Sequence, residues 1–125
     1  MTTITELDTL HQWLRDRLPL AQQVPPLNET AKADWNPVPA DCHANADRWI
    51  ERSPGCKRIR GWVIEGGREY GAICHAHSVV QDASGQLWDV TLDSTHRFIP
   101  YLGLDSTYDD GLVNRGWAQI ILLAW

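Results

Sequence analysis

With 125 residues, of which 43% are hydrophobic and 22% charged, the chain has the size and composition of one globular domain, and we expect a single domain over residues 1–125. Its 11 basic and 16 acidic residues give a net charge of −5, so it lacks the basic excess that a phosphate backbone attracts, and we expect no nucleic-acid partner. No apolar run approaches the ~20 residues of a membrane-spanning helix and no basic, then apolar, leader opens the sequence, so we expect no membrane contact and a cytoplasmic location.

The three cysteines, Cys42, Cys56 and Cys74, are an odd number, which disfavours a disulfide framework and leaves thiols available for chemistry. Cys74 shares a predicted strand face with Ala72 and Ala76, so we expect it to be a core residue. Cys56 follows a Pro-Gly turn, and we expect no chemical role for it.

The first element is predicted as an amphipathic helix from Thr3 to Leu18, because apolar residues recur there at steps of three and four. The recurring residues are Ile4, Leu7, Leu10, Leu14 and Leu18. Pro19 ends this helix, and the proline-rich stretch from Leu20 to Ala40 is predicted to be an extended connection. The domain therefore divides into an N-terminal helix with an extended segment, residues 1–40, and a core, residues 41–125.

A second helix is predicted to begin at Cys42 and to end at Arg52, before a Ser-Pro-Gly turn. Asp41 is a suitable N-cap for it, and its buried stripe is predicted to be Ala46, Trp49 and Ile50. Cys42 is then the first helical residue. The unpaired amides and the positive end of the helix dipole favour a thiolate there, which lowers the pKa of the cysteine.

The rest of the chain reads mainly as strands. The predicted pieces are a strand from Lys57 to Glu65, a hairpin from Gly71 to Leu92, a short apolar piece from Phe98 to Leu102, a polar stretch from Asp105 to Arg115, and a last strand from Trp117 to Trp125. The last strand is so continuously apolar that we expect it in the centre of a sheet. This order predicts an α+β fold in which N-terminal helices pack on a mostly antiparallel sheet of four to five strands.

The hairpin brings two histidines and an aspartate together if its loop is residues 83–85, with Gly85 in the left-handed conformation. Because side chains alternate along a strand, His75, His77 and Asp89 then share one face, and Asp89 lies diagonally across from His77. A loop of two or four residues would put them on opposite faces. The facing pairs in the three-residue register are Asp82 with Gln86 and Val79 with Asp89.

A nucleophile, a base and an orienting carboxylate can be assigned from these elements. Cys42 is suited to attack as a thiolate, His77 to transfer the proton, and Asp89 to orient the imidazole. The order resembles papain-like cysteine enzymes in the broad sense, including transglutaminase-like and NlpC/P60-like domains. The likeness is closest to the transglutaminase-like pattern, which here reads His77-Ser78-Val79-Val80, Asp82-Ala83-Ser84-Gly85 and Asp89-Val90-Thr91.

The resemblance covers roughly residues 41–92, and two positions depart from the family pattern. His43 follows the cysteine, where many members have a bulky aromatic residue, and Leu92 follows Asp-Val-Thr, where proline is frequent. The resemblance implies a papain-like or transglutaminase-like fold and acyl transfer from an amide through a thioester on Cys42. Hydrolysis, deamidation and transamidation are all compatible with it, the substrate would be a peptide or protein amide, and no cofactor is implied.

Several assignments stay open on the sequence alone. His75 can take the place of His77, because the pattern can also be laid down two residues earlier. Asn45, His75 and Trp62 are candidate substrate contacts, each with a structural role as its alternative. Asp89 has the alternatives of capping a turn or pairing with Arg97.

Two rival functions use the same residues differently. A zinc site is one, with ligands from Cys42, His43, Cys74, His75 and His77, but adjacent pairs such as Cys42-His43 do not have the usual ligand spacing, and we expect no metal. A non-catalytic papain-like domain that binds or inhibits a protein partner is the other. It is favoured if the segment from Leu20 to Ala40 closes over the cysteine. The oligomeric state is left open, since the apolar final strand suits burial or a dimer edge.

Overall fold

A computed structural model of the chain describes residues 2–27, 34–66 and 71–122. Within these ranges the fold is α+β, with three α-helices and an antiparallel sheet of six strands, where the sequence predicted four or five. The elements are α1 (Thr2–Arg17), β1 (Gln22–Val24), α2 (Cys42–Arg52), β2 (Lys57–Gly66), β3 (Ala72–Gln81), β4 (Leu87–Trp88), β5 (His96–Pro100), α3 (Asp105–Asn114) and β6 (Gln119–Leu122).

The sheet is built around β2 and β3, which pair along all ten residues of each strand. The strand order is β1-β5-β2-β3-β4, and β6 also pairs with β3. The two short strands share the outer edge of β3, where β6 faces Ala72–His75 and β4 faces Val80 and Gln81. The first half of β3 thus lies between β2 and β6, and its second half between β2 and β4.

The expectation of a central final strand is wrong. β6 is an edge strand of four residues, and residues 123–125 of the predicted strand lie outside the described ranges. Its side chains alternate, with Ile120 and Leu122 in the main core and Ile121 54% exposed. A continuous apolar run does not distinguish a central strand from an edge strand, because only one face of the strand needs to be buried.

Helix α1 agrees with its prediction to within one residue at each end, and Leu10 and Leu14 are buried in the main core. The side chains of Ile4 and Leu7, also predicted for the buried stripe, lie outside the described part. A single turn of 3₁₀ helix, Leu18–Leu20, follows α1 and contains Pro19.

Helix α2 lies on β3, and it begins at Cys42 as predicted. Ala46 and Trp49 are buried against Val80, and Ile50 packs partly against the same cluster, so the predicted stripe is confirmed. Asp41 occupies the N-cap position as predicted, and its carbonyl accepts from Asn45 N–H at 2.9 Å, but its side chain makes no capping hydrogen bond.

Helix α3 was read from the sequence as a polar stretch, because it offers no apolar stripe. Only Tyr108 and Gly111 are buried on it. Tyr108 is fully buried, packs against the rings of Trp62 and Tyr101, and donates its hydroxyl to the carbonyl oxygen of Gly61 at 2.6 Å. Tyr108 is thus the residue through which α3 packs on β2.

Gly61→Ala is expected to lower the free energy of unfolding by about 2–3 kcal/mol. The added methyl group would overpack the close contact between the paired strands β2 and β5 and force their backbones apart. A Cβ at this position would lie 2.1 Å from the carbonyl oxygen of Ile99 on β5. Urea unfolding followed by tryptophan fluorescence measures the loss. Gln119→Ala, an exposed change on β6, is the control and should change stability by less than about 0.5 kcal/mol. Equal midpoints for Gly61→Ala and the control would contradict the strand contact.

Candidate active site

Cys42 lies at the first position of α2 and faces β3. Its Sγ atom is 4.0 Å from the carbonyl oxygen of Ala76, the residue before His77, and the side chain is half-buried. The first N–H groups of a helix have no acceptor within the helix and carry the positive end of its dipole. The sulfur is therefore both reachable from solvent and in a position that favours negative charge.

The histidine and carboxylate predicted to face each other are in contact. His77 Nε2 lies 2.7 Å from Asp89 Oδ2, and both side chains are buried. Because an ionised carboxylate only accepts, Nε2 donates to it, and Nδ1 is the ring nitrogen left to interact with Cys42, whose proximity is among the causes that raise the pKa of His77. His77, and not His75, is thus the histidine between the thiol and the carboxylate.

The predicted hairpin register is confirmed. Gln81 pairs with Leu87, Asp82 N–H donates to Gln86 O at 3.0 Å, and Gly85 has φ +93°, so the loop is residues 83–85. The left-handed glycine closes the three-residue loop. Asp82 Oδ1 accepts from the backbone N–H groups of residues 84 and 86, which holds the loop in this form.

Asp89 makes the turn-capping contacts considered from the sequence, and also backbone contacts that the sequence did not indicate. Its Oδ1 accepts from the N–H groups of Thr91 and Leu92, both at 2.8 Å, so the carboxylate caps a turn as well as binding His77. Its own N–H donates to Pro25 O at 2.9 Å, and its carbonyl accepts from Leu27 N–H at 3.1 Å. The extended segment after β1 therefore lies along Asp89 and fixes its backbone.

The pairing of Asp89 with Arg97, considered from the sequence, does not form. The guanidinium of Arg97 instead donates to the carbonyl oxygen of Gly66. The carboxylate of Asp89 therefore contacts His77 and the N–H groups of the turn that follows Asp89.

The ionisation of Cys42 and His77 is strongly perturbed, in opposite directions. Burial alone would raise the pKa of Cys42, but hydrogen bonds from His43 and His77 outweigh it and lower the pKa from 9.0 to about 6. Burial alone would lower the pKa of His77, but hydrogen bonds to Asp89 and Cys42 outweigh it and raise the pKa from 6.5 to about 9. Between these two values the pair is a thiolate and an imidazolium.

The other cysteines have different surroundings. Cys74 is fully buried in the main core, as predicted, and burial raises its pKa to about 11, opposed only weakly by the charge of Arg97. Cys56 is half-buried and packs against the cluster under α2. Cys42 is therefore the thiol with the lowered pKa and access to solvent.

Asn45 is not positioned to contact a substrate. Its side chain is fully buried, where Nδ2 donates to Val38 O at 2.9 Å and to Thr91 Oγ1 at 3.0 Å. Its Oδ1 accepts from Val38 N–H at 3.0 Å and from Arg48 at 2.6 Å. We therefore assign it a positioning role: it ties the segment before α2 to the turn after Asp89.

Trp62 and His75 also lie apart from the thiol–imidazole pair. Trp62 is fully buried and donates its indole N–H to Trp117 O at 2.9 Å, so we assign it a packing role in place of the expected substrate contact. His75 is part-exposed, with Nε2 3.4 Å from Glu65. A substrate contact by His75 stays a prediction.

The structure connects His43 to residues that were given no role from the sequence, Ser78, Arg60 and Tyr108. His43 Nδ1 lies 2.6 Å from Ser78 Oγ, and Ser78 Oγ accepts from Arg60 Nη1 at 3.1 Å. The ring of His43 also packs edge-on against Tyr108, with centroids 5.9 Å apart. The one signal in the sequence was the histidine that stands where the resembling family has an aromatic residue.

A cavity of about 800 Å³ lies elsewhere, between α1, α3 and the loop after β5. Trp13, Tyr101 and Trp117 form its aromatic walls, and none of Cys42, His77 and Asp89 lines it. The Cys42 sulfur is therefore not at the bottom of this cavity. Over the described ranges no three His, Cys, Asp or Glu side chains are grouped to hold a metal ion, so the zinc site is not formed by them.

Comparisons of the chain with protein-family models, with curated proteins and with solved structures found no match. Among the described residues, no helix has the length and apolar character needed to cross a membrane. The assignment of a function therefore depends on the arrangement of the side chains around Cys42.

Proposed function

We propose that this protein is a cysteine-dependent acyl-transfer enzyme that acts on an amide, with a papain-like or transglutaminase-like site. One observation carries the proposal: the cysteine at the start of α2 faces the strand that carries His77, with Sγ 4.0 Å from Ala76 O, and His77 Nε2 is 2.7 Å from the buried carboxylate of Asp89. This is the arrangement that nucleophilic catalysis by a thiolate requires. A purely structural cysteine has no need of it.

In the first step the Cys42 thiolate attacks the carbonyl carbon of the amide, and the carbonyl oxygen becomes an oxyanion. The N–H groups of the first turn of α2 are the donors available to it. The His77 imidazolium then gives its Nδ1 proton to the amide nitrogen, the C–N bond breaks, and the amine leaves. The products are a thioester on Cys42 and a neutral His77.

In the second step neutral His77 removes a proton from the incoming nucleophile, which attacks the thioester carbonyl and releases the Cys42 thiolate. With water the outcome is hydrolysis, or deamidation if the amide is a side chain. With an amine it is transamidation. Asp89 keeps Nε2 protonated throughout, so that Nδ1 is the nitrogen that gives and takes the proton.

The substrate is proposed to be a peptide or protein amide. Cys42 is half-buried at the start of a helix, outside the 800 Å³ cavity, which suits an extended chain better than a fully enclosed small molecule. The net charge of −5 gives no attraction for nucleic acid.

The proposal is tested by trapping the acyl-enzyme. The protein is mixed with p-nitrophenyl acetate, quenched in acid, and analysed by intact mass and by peptide mapping. We expect one acetyl group, on Cys42, followed by turnover of glutamine- and asparagine-containing peptides. Acetylation on lysines alone, at the rate of denatured protein, would exclude a cysteine nucleophile and leave the non-catalytic partner-binding protein as the function.

The pH dependence should differ between an ester and an amide substrate. Acylation by p-nitrophenyl acetate should rise through about pH 6, where Cys42 ionises, and then stay level, because p-nitrophenolate leaves without a proton. Cleavage of an amide should rise through the same value and fall above about 9, where His77 loses the proton that the leaving amine needs. Initial rates from pH 4.5 to 10.5 measure both profiles.

Cys42→Ala supplies the background rate at each pH in this comparison. A falling limb for the ester as well as the amide would mean that the loss above pH 9 is a loss of structure. An amide profile without that limb would remove His77 from the role of proton donor.

A further inference from the structure

A line of polar contacts ends at His43, the neighbour of Cys42 on α2. Cys42 and His43 meet β3 at Ala76 and Ser78, which share one face of that strand, so the His43 ring lies beside the sulfur. The line begins at Asp109 on α3, which is 53% exposed, and passes to Arg60 on β2, where Nε is 3.2 Å from the carboxylate. The Arg60 N–H does not point at that oxygen, so the contact is an ion pair without a directed hydrogen bond. Arg60 Nη1 donates to Ser78 Oγ at 3.1 Å, and Ser78 Oγ is 2.6 Å from His43 Nδ1.

The direction of these hydrogen bonds follows from what each group can do. Arg60 can only donate, so Ser78 Oγ accepts from it. Ser78 is fully buried, and within the described residues the remaining partner of its hydroxyl is His43. A buried hydroxyl proton without an acceptor is costly, so Ser78 donates to Nδ1. In the neutral His43 ring the proton is then on Nε2.

We propose that His43 is a second positioning residue of the nucleophile: its Nε2–H donates a hydrogen bond to the Cys42 sulfur, and Ser78 and Arg60 fix the tautomer that makes this possible. The sulfur would then lie between the imidazoles of His43 and His77, which have different roles. His77 exchanges a proton with the substrate, whereas His43 keeps its proton and supports the thiolate. The inference rests on the proposed function only in taking Cys42 as the nucleophile.

Other groups that face this region fit the assignment. Tyr108, on α3, packs edge-on against the His43 ring, and burial raises its pKa well above the ordinary value, so it remains neutral. Two pairs of opposite charge also face this region: Arg60 with Asp109, and the His77 imidazolium with Asp89. The hydrogen bond from His43 also contributes to the lowered pKa of Cys42.

The test is the pH dependence of iodoacetamide alkylation at Cys42, followed by peptide-resolved mass spectrometry. His43→Leu removes the donor at similar volume, whereas His43→Gln keeps a donor near the position of Nε2. We expect the pKa of Cys42 to rise by about one unit in His43→Leu, which lowers the thiolate fraction and the alkylation rate at pH 6 about fivefold. In His43→Gln we expect most of the wild-type rate to return. His96→Gln, a histidine on β5 that bonds Ser94, is the matched control and should not change the profile.

Ser78→Ala tests the tautomer assignment separately, with an expected slowing at pH 6 of about threefold, a smaller shift than in His43→Leu. Unreactive Cys74 reports within each sample that the core is intact. A wild-type profile for His43→Leu, or the same shift in His43→Leu and His43→Gln, would overturn the donor role of His43, since packing alone would then account for the result. A wild-type profile for Ser78→Ala would overturn the assignment of the tautomer.

Alkylation requires no substrate, so this experiment is independent of the search for an amide that the protein cleaves. If the His43 variants shift the profile and no acyl transfer is found, the proposed function fails and this inference stands. If acyl transfer is found but the His43 variants have the wild-type alkylation profile, the proposed function stands and this inference fails.

Discussion

Cys42→Ala is expected to lower the rate of acyl transfer by at least about 10³-fold and to leave the free energy of unfolding nearly unchanged. In the proposed mechanism the thiolate forms the bond to the substrate, so no other group can replace it in this step. The side chain is half-buried at a helix start, and alanine is well tolerated there. A buried packing cysteine would instead lose about 1–3 kcal/mol on truncation.

Both quantities should be measured on the same preparations. Acylation is followed by the release of p-nitrophenolate and stability by urea unfolding, with Cys56→Ala as the matched control, because Cys56 is also half-buried but packs under α2. Equal acylation by wild type and Cys42→Ala would exclude Cys42 as the nucleophile. A loss of stability without a loss of activity would make it a packing residue.

Asp89→Ala should have the largest effect on stability of any change at the site, about 3 kcal/mol or more. The carboxylate accepts from His77 Nε2 and from the N–H groups of Thr91 and Leu92, and it is 2% exposed. Truncation leaves these three donors without an acceptor in a place that water does not reach freely. We also expect acyl transfer to fall by about 10³-fold or more, because the imidazole loses its orientation.

Asp89→Asn separates the two effects. The amide oxygen can still accept from the turn N–H groups, so most of the stability should remain, but the amide NH₂ facing His77 favours the wrong tautomer. Activity should therefore fall by about 10³–10⁴-fold with a much smaller change in unfolding. Asp16→Asn on α1, an exposed carboxylate, is the control for both assays. Wild-type activity in Asp89→Asn would show that the tautomer of His77 is not held by this contact.

Much of the site could be predicted because it depends on local periodicity. A three-residue loop with a left-handed glycine sets the hairpin register, and the register then decides that His77 and Asp89 share a face. Cys42 at a helix start follows equally from local signals. Helix α2 was predicted for the same reason, since it buries one regular face, and strand β2 from its run of apolar and β-branched residues.

The parts that could not be predicted depend on contacts between distant segments. Asp89 N–H donates to Pro25 O and Leu27 N–H donates to Asp89 O, and such bonds between backbone atoms do not depend on residue type. Helix α3 buries only one large side chain, Tyr108, so no period appears in its sequence. The role of Asn45 was missed because an amide on a predicted helix surface gives no sign that Val38 and Thr91 will enclose it.

The imidazole and its carboxylate belong to one hairpin, whereas the thiol comes from a helix far away in the sequence. Contacts between neighbours along the chain form with little loss of chain entropy, and distant ones form later. We therefore expect the histidine–carboxylate half to assemble early in folding and the sulfur to join it only when α2 docks on β3. Until then Cys42 has the modest reactivity of an ordinary thiol. We therefore expect the newly made chain to be less prone to oxidation at Cys42, and to mispairing of Cys42 with Cys56 or Cys74, than the folded site would suggest.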